Sequence, residues 1–352
     1  MSNNSSSEYN IDCGNVSCDD TLEWTRPDGD TTVPISIYIY AALAIVGVLG
    51  NASIILVIIL NAELRRSQIN VLIIQLAIGD LLFILLTGPI KIEHEIDPYW
   101  ESGAAACKAY RFGETLAMGI CVYSILAFSV RRFMGVVMRK GERNFTSVLV
   151  CAEWMTSIAI AVPTLFIAQM EPNLRGDKFV CRFPYSGVAA RVYVAFWVSF
   201  LYAIPLIIIA YTNILVIVKL LQSTRKFSGE QVNRSLLKQF KIRRNRAAMF
   251  ILITVFFAVF WLPYYVYRFL HIFYAGLGDN PLLDIARNVH YYAAIANSCC
   301  NPYVMYMMSS KYRQALCCRL TARKPGITSA NSVRSVRVRT TQFSSVKNKQ
   351  QE

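Results

Sequence analysis

Histidine is scarce and charge is thin: the chain has 3 histidines in 352 residues, and 16% of it is charged. His94, His271 and His290 show no metal-ligand spacing, and Gly79-Asp80 is not part of a GxGD sequence. Asp80 has no second acid in a matching motif, so a metal or aspartyl hydrolase is disfavoured. The first 34 residues contain no apolar h-region, so no cleavable leader is apparent and the first span is expected to act as an uncleaved anchor. No inverted repeat and no interrupted half-helix marks a transporter, although the charges inside apolar stretches leave that alternative open. What is abundant is apolar surface. The chain is 55% hydrophobic with mean hydropathy +0.38, the composition of a membrane protein. Its net charge of +14 therefore reports topology rather than a nucleic-acid partner.

Residues 1–34 carry Glu8, Asp12, Asp19, Asp20, Glu23, Asp28 and Asp30 against Arg26, with N-x-S sequons at Asn3, Asn4 and Asn15. They read as a disordered, glycosylated tail. Seven apolar segments follow, near 35–60, 69–91, 106–138, 147–169, 190–221, 244–274 and 283–308. An odd number of spans puts the termini on opposite sides. With the N-terminus outside, the inner segments hold 26 Lys/Arg and the outer ones 5. That ratio places the N-terminus outside and the C-terminus in the cytoplasm. The predicted fold is an all-α membrane protein: a seven-transmembrane helix bundle over 35–308, a short amphipathic membrane-surface helix over 309–320, and a basic regulatory tail over 321–352.

The stretch from Cys107 to Arg132 organises this plan. At ~1.5 Å rise per residue it covers roughly 37 Å, more than the ~30 Å of bilayer hydrocarbon. It sets a cysteine at the outer surface, Glu114 about two turns below it, and Arg131-Arg132 at the inner surface. Cys107 and Cys181 both fall in the oxidising compartment and can pair, pinning a loop over a cavity. Cys13 and Cys18 can close a ring in the tail or stay free to meet a partner. Cys317-Cys318, just inside the last span, read as palmitoylation sites. Within the spans Asp80 is matched in depth by Asn51, Asn297 and Asn301. Either a small-ion or water cluster bridges these groups, or Asp80 is protonated and structurally bonded.

Gly50-Asn51, LAxxD ending at Asp80, Cys107 with Cys181, Trp154, Pro205, Phe257 with Trp261-Leu262-Pro263, and Asn301-Pro302 occur in that order. With these marks the chain resembles the rhodopsin-like (class A) G-protein-coupled receptors over residues 35–320. LAIGDLLFILLTGP, Trp100 before Gly103, WLPxxVYR and NPYVMYMMSSKYRQAL are most similar to peptide receptors of the bombesin, endothelin and CCHamide group. The resemblance implies a plasma-membrane receptor without catalytic chemistry. It would bind a secreted neuropeptide and act on a heterotrimeric G protein, with arrestin, receptor kinases and membrane lipids as further partners. It implies a ligand cavity of Glu114, Tyr264, Tyr265, Arg268, Arg287 and Tyr291, in which Arg268 clamps a peptide carboxylate or amidated end or else pairs with Glu114 or a loop acid. It also implies an activation switch of Trp261 and Phe257 about the kink at Pro263, with Asn301-Pro302. A sodium-and-water site would use Asp80, Asn297 and Asn301, with Cys121 where a hydroxyl is usual, and Arg132 would contact the G protein. No cofactor is implied beyond that sodium ion.

Departures from the family pattern carry expectations of their own. Arg131 stands where an acid is usual, so no adjacent carboxylate restrains Arg132 and raised basal signalling is expected. Met305 takes the usual tyrosine position, with Tyr306 one place on, and Asn213 takes the place expected of a tyrosine, with Tyr211 two residues before it. Ile295 occupies the site of the opsin lysine, which disfavours a photoreceptor. An amine receptor using Glu114 remains the alternative among ligands.

Overall fold

The computed structural model describes residues 34–97, 99–138, 144–172, 178–183, 187–226, 234–273 and 281–321. The elements run α1 (Ile35–Leu60), α2 (Ala62–Arg65), α3 (Gln68–Ile96), α4 (Gly103–Val136), α5 (Asn144–Ala161), α6 (Thr164–Ile167), β1 (Gln169–Pro172) and β2 (Phe179–Arg182). They continue with α7 (Gly187–Val198), a π-turn (Ser199–Ala203), α8 (Ile204–Lys226), α9 (Arg234–Phe273), α10 (Pro281–Met308) and α11 (Ser310–Thr321). Among the described residues, 6 helices are long and apolar enough to cross a bilayer. The seventh helix, α10, packs on α9, α1 and α3. It is more polar because its buried face carries His290, Asn297, Ser298 and Asn301. Leu49, Phe166, Ile207 and Met155 are more than half exposed on the outside of the bundle. That arrangement is stable only where the surrounding medium is lipid.

The central helix is α4. Its apolar window is 72% buried against 33% for α1, because α3, α5 and α8 all pack around it. Small residues allow the approach. A Cβ at Gly119 would stand 2.8 Å from Ser157 Cβ on α5, and one at Gly50 would stand 2.7 Å from Pro302 Cγ on α10. Several element ends differ from the sequence expectation: α9 begins at Arg234 rather than near 244, α8 runs to Lys226 rather than 221, and two others have a visible cause. The second span was expected to end at 91, but α3 continues to Ile96 because Glu93 O accepts the Asp97 N–H and Glu95 accepts Ser36 Oγ of α1. The fourth span breaks after Ala161, where Pro163 supplies no N–H and α6 restarts the helix.

Prolines elsewhere free carbonyls that side chains then occupy. The π-turn precedes Pro205. It leaves Phe200 O and Leu201 O to accept the hydroxyls of Tyr123 (2.9 Å) and Tyr265 (3.3 Å), tying α8 to α4 and α9. Pro302 frees Ser298 O, which accepts Asn51 Nδ2 at 3.0 Å. Asn51 thus joins α1 to α10 where Gly50 brings them closest.

At one end of the bundle α11 lies against α2 and α3. Tyr312 donates to Asn70 Oδ1 at 2.7 Å, and Lys311 pairs with Glu63, whose carboxyl the ammonium holds below the usual carboxylate range. At the other end β1 and β2 form an antiparallel hairpin with Met170 opposite Cys181. A Cys107–Cys181 disulfide fastens it to the first turns of α4.

Candidate functional site

Beneath the hairpin the helices part around a cavity of about 740 Å³, within the size range of ligand pockets. Its roof is held three ways: by the disulfide, by Trp100 N–H donating to Phe179 O at 2.6 Å, and by an ion pair between Arg182 and Glu171 across the hairpin. Lys178 adds a pair to Asp97 beyond the end of α3 at 3.6 Å.

The walls are aromatic and cationic. Tyr110, Tyr264, His290 and Tyr291 line the cavity together with Lys91, Arg111 and Arg268. Of the residues expected there, Tyr264, Arg268 and Tyr291 reach the wall. Glu114 and Tyr265 do not. Glu114 is 1% exposed because Arg111, one turn earlier on α4, covers it. Arg111 Nη1 meets Glu114 Oε2 at 2.9 Å, while its Nη2 donates to Cys181 O at 2.7 Å. One guanidinium thereby joins the hairpin to the cavity base. Tyr265 is turned toward the π-turn carbonyl. Arg268 lies over the rings of Phe183 (5.6 Å) and Trp197 (5.9 Å). Arg287 is on α10, and its side chain lies outside the described residues.

Sequence reasoning missed Lys91 and Arg111. The first, Lys91, is the last residue of the expected second span, and the extension of α3 to Ile96 brings it onto the cavity wall. The second sits three residues before Glu114, and that i, i+3 spacing was the available signal.

Below the cavity lies an aromatic layer. Trp261 is 1% exposed and meets Tyr264 edge-on at 5.8 Å, Tyr265 at 5.9 Å and Phe83 of α3 at 5.6 Å. Phe257, a turn deeper, touches Tyr202 at 5.9 Å. Pro263 lies within α9 immediately above Trp261.

Deeper still, Asp80 is fully buried. Its Oδ2 accepts Asn301 Nδ2 at 2.9 Å, and Cys121 Sγ lies 3.4 Å from its Oδ1. Asn297 Oδ1 and Nδ2, Ser298 Oγ and Asn301 Oδ1 are buried without hydrogen-bond partners. A carboxylate beside unsatisfied oxygens is the donor set of a hard cation or of water. These residues fit a sodium ion, with a thiol replacing one oxygen. A third buried acid, Glu153 on α5, was not anticipated; it accepts Ser124 Oγ of α4 at 2.5 Å. The next residue, Trp154, donates to Gln75 Oε1 of α3 at 2.9 Å.

At the α11 end Arg132 is 7% exposed. Its Nη1 lies 3.5 Å from Ala247 O, and its guanidinium lies over Phe250, both on α9. Arg131 Nε donates to Thr146 Oγ1 at 3.1 Å. Asn213 faces inward and donates to Thr254 Oγ1 at 3.4 Å, whereas Tyr211 is 62% exposed and points outward. Met305 is buried, and the Tyr306 hydroxyl shares a hydrogen bond with Ser53. Cys317 is exposed on α11; the Cys318 side chain, like Asn3, Asn4 and Asn15, lies outside the described residues.

The chain is 29% identical over 299 residues to the neuropeptide CCHamide-1 receptor of Drosophila melanogaster, covering 80% of this chain and 58% of that protein. It is 28% identical to bombesin receptor subtype-3 of Ovis aries, covering 87% of this chain and 82% of the relative. To endothelin receptor type B of Homo sapiens it is 29% identical over 78% of this chain and 66% of the relative. The profile of the 7 transmembrane receptor (rhodopsin family) matches residues 50–305, from the glycine that admits α10 against α1 to the buried methionine near the end of α10. The chain therefore belongs to the rhodopsin family of seven-transmembrane receptors, as a multi-pass membrane protein.

Proposed function

We propose that the chain is a plasma-membrane receptor for a secreted peptide, with the hairpin and N-terminus outside and α11 in the cytoplasm. The observation that carries this reading is the cavity: an aromatic and cationic chamber under a pinned hairpin, resting on the Trp261 layer of α9. A volume of about 740 Å³ takes the last few residues of a peptide, while the hairpin and the tail remain to meet the rest. The names of the similar receptors, CCHamide, bombesin and endothelin, point to the same ligand class. An amine ligand fits less well, since the carboxylate that would bind it is already engaged by Arg111.

In this reading a ligand pressing on Tyr264 and Tyr291 shifts Trp261, and α9 swings about Pro263. Arg132 then leaves Ala247 and Phe250, and together with Arg131 becomes available to a heterotrimeric G protein. A sodium ion held by Asp80, Asn297, Ser298 and Asn301 would favour the resting packing. The basic Ser/Thr-rich tail suits receptor kinases and arrestin after phosphorylation, and anionic lipid before it. Cys317 and Cys318 suit palmitoylation, and Asn3, Asn4 and Asn15 suit glycosylation. The test is a panel of secreted peptides applied to cells expressing the chain, with calcium and cyclic-AMP readouts. The expected result is dose-dependent activation by one peptide class; a response to amines alone would overturn the peptide reading.

A further inference from the structure

Among the described residues the cavity's walls carry the cations Lys91, Arg111, Arg182 and Arg268 and the carboxylate Glu95. Arg111 is offset by Glu114 and Arg182 by Glu171. Glu95 accepts Ser36 Oγ of α1 at 2.5 Å. Lys91 has no carboxylate within ion-pair distance among the described residues; instead its ammonium sits 3.3 Å from the centre of the Tyr291 ring. A ring face attracts a cation but cannot neutralise it, and a half-buried ammonium without a counter-charge is costly.

A second, independent observation points to the same chemistry. Two donors in the wall that holds Lys91 are buried without a hydrogen bond: the Tyr110 hydroxyl, which faces Glu114, and Arg111 Nε. Tyr291 neighbours both Lys91 and Arg111. Glu114 Oε2 accepts Arg111 Nη1 and Cys181 O accepts Arg111 Nη2, while Glu114 Oε1 is itself buried without a hydrogen bond. An ammonium, a hydroxyl and a guanidinium N–H in the wall of one cavity form a donor set for an anion with two oxygens.

Building on the peptide-receptor reading, we propose that the ligand presents a carboxylate to Lys91, and that Lys91 is the residue that sets this requirement. The carboxylate takes the position beside the Tyr291 ring, where Lys91 supplies the charge and Tyr110 and Arg111 Nε supply direction. The Arg111–Glu114 pair stays intact and admits no ligand cation. Two sources carry this chemistry: the peptide's free C-terminus and an Asp or Glu side chain.

The test uses purified full-length receptor in detergent and does not need the natural ligand. Melting is followed with three probes: acetyl-Tyr-Phe as the free acid, acetyl-Tyr-Phe amide, and acetyl-Asp-Phe amide. Each is titrated to about 10 mM, which saturates a site of roughly 1 mM affinity. The expected result is a rise in melting temperature with at least one acid, half-saturating at least about tenfold below the neutral amide, as one charge-assisted contact requires. The arm that responds identifies the source: the first probe for a C-terminus, the third for a side chain. Lys91→Gln is expected to remove the difference between acid and amide, and Lys91→Arg to retain it. Equal shifts with acid and amide, no shift with either acid, or an acid preference that survives in Lys91→Gln would each overturn the proposal. If Lys91→Gln fails to fold, Lys91→Met takes its place in the same comparison of acid with amide. The peptide-receptor reading fails separately, through the cell-based panel.

Discussion

Arg111 and Glu114 neutralise each other one turn apart, so neither can be changed alone without stranding a charge in the protein. Glu114→Gln is expected to destabilise the receptor by about 3 kcal/mol, because breaking a buried pair leaves its partner uncompensated. Arg111→Met with Glu114→Leu is expected to recover part of that loss. Melting of the purified variants checks it, and a double variant no better than the single would show that the charge is not the cause. At the opposite end, Arg132 relies on a carbonyl and a ring of α9 rather than on a neighbouring acid. Phe250→Ala is therefore predicted to raise basal signalling and Arg131→Asp to lower it, read as ligand-free second-messenger output normalised to surface expression. Basal output in Arg131→Asp equal to or above the parent would count against a weakly restrained resting state.

Between elements, steric fit does more than charge. Gly119→Ala places a methyl 2.8 Å from Ser157 Cβ, whereas the same change at Gly135 meets nothing within 4 Å. The first is predicted to lower the melting temperature by forcing α4 and α5 apart. The second is predicted to be neutral or to stabilise by up to about 1 kcal/mol, since glycine is a poor helix former. Similar loss at both positions would mean that helix flexibility, not contact, sets the cost. The helices themselves were legible from apolar length, and Pro163, Pro205 and Pro302 were visible as punctuation. The partners of the freed carbonyls were not. Tyr265 and Tyr123 lie 64 and 77 residues from the carbonyls they serve, and no local pattern encodes that reach.

For the whole molecule, topology is the first question. An N-terminal tag is expected to be labelled on intact cells and a C-terminal tag only after permeabilisation; the opposite pattern would invert the proposed orientation, and labelling of both on intact cells would contradict an odd number of spans. The disulfide acts at the same scale. Cys107→Ser with Cys181→Ser frees the hairpin and, through Cys181 O, one of the two anchors of Arg111. Loss of ligand response with little change in helix content is the predicted outcome. The spans already hold the ends of that loop close, so the entropic stabilisation from the bond is smaller than in a soluble chain.

The sequence by itself determined the spans, their number and the residues too polar to face lipid, because each follows from counting apolar length and charge against a bilayer of known thickness. It did not determine which polar groups answer one another. Glu114 meets Arg111, and Lys91 reaches the cavity wall on a helix that runs on to Ile96, only in the folded chain. Glu153 gave no sign of its tie to Ser124. Pairing of this kind depends on how seven helices rotate about their own axes, and that rotation is decided by packing at positions such as Gly50 and Gly119, where a single added methyl would already clash with the neighbouring helix.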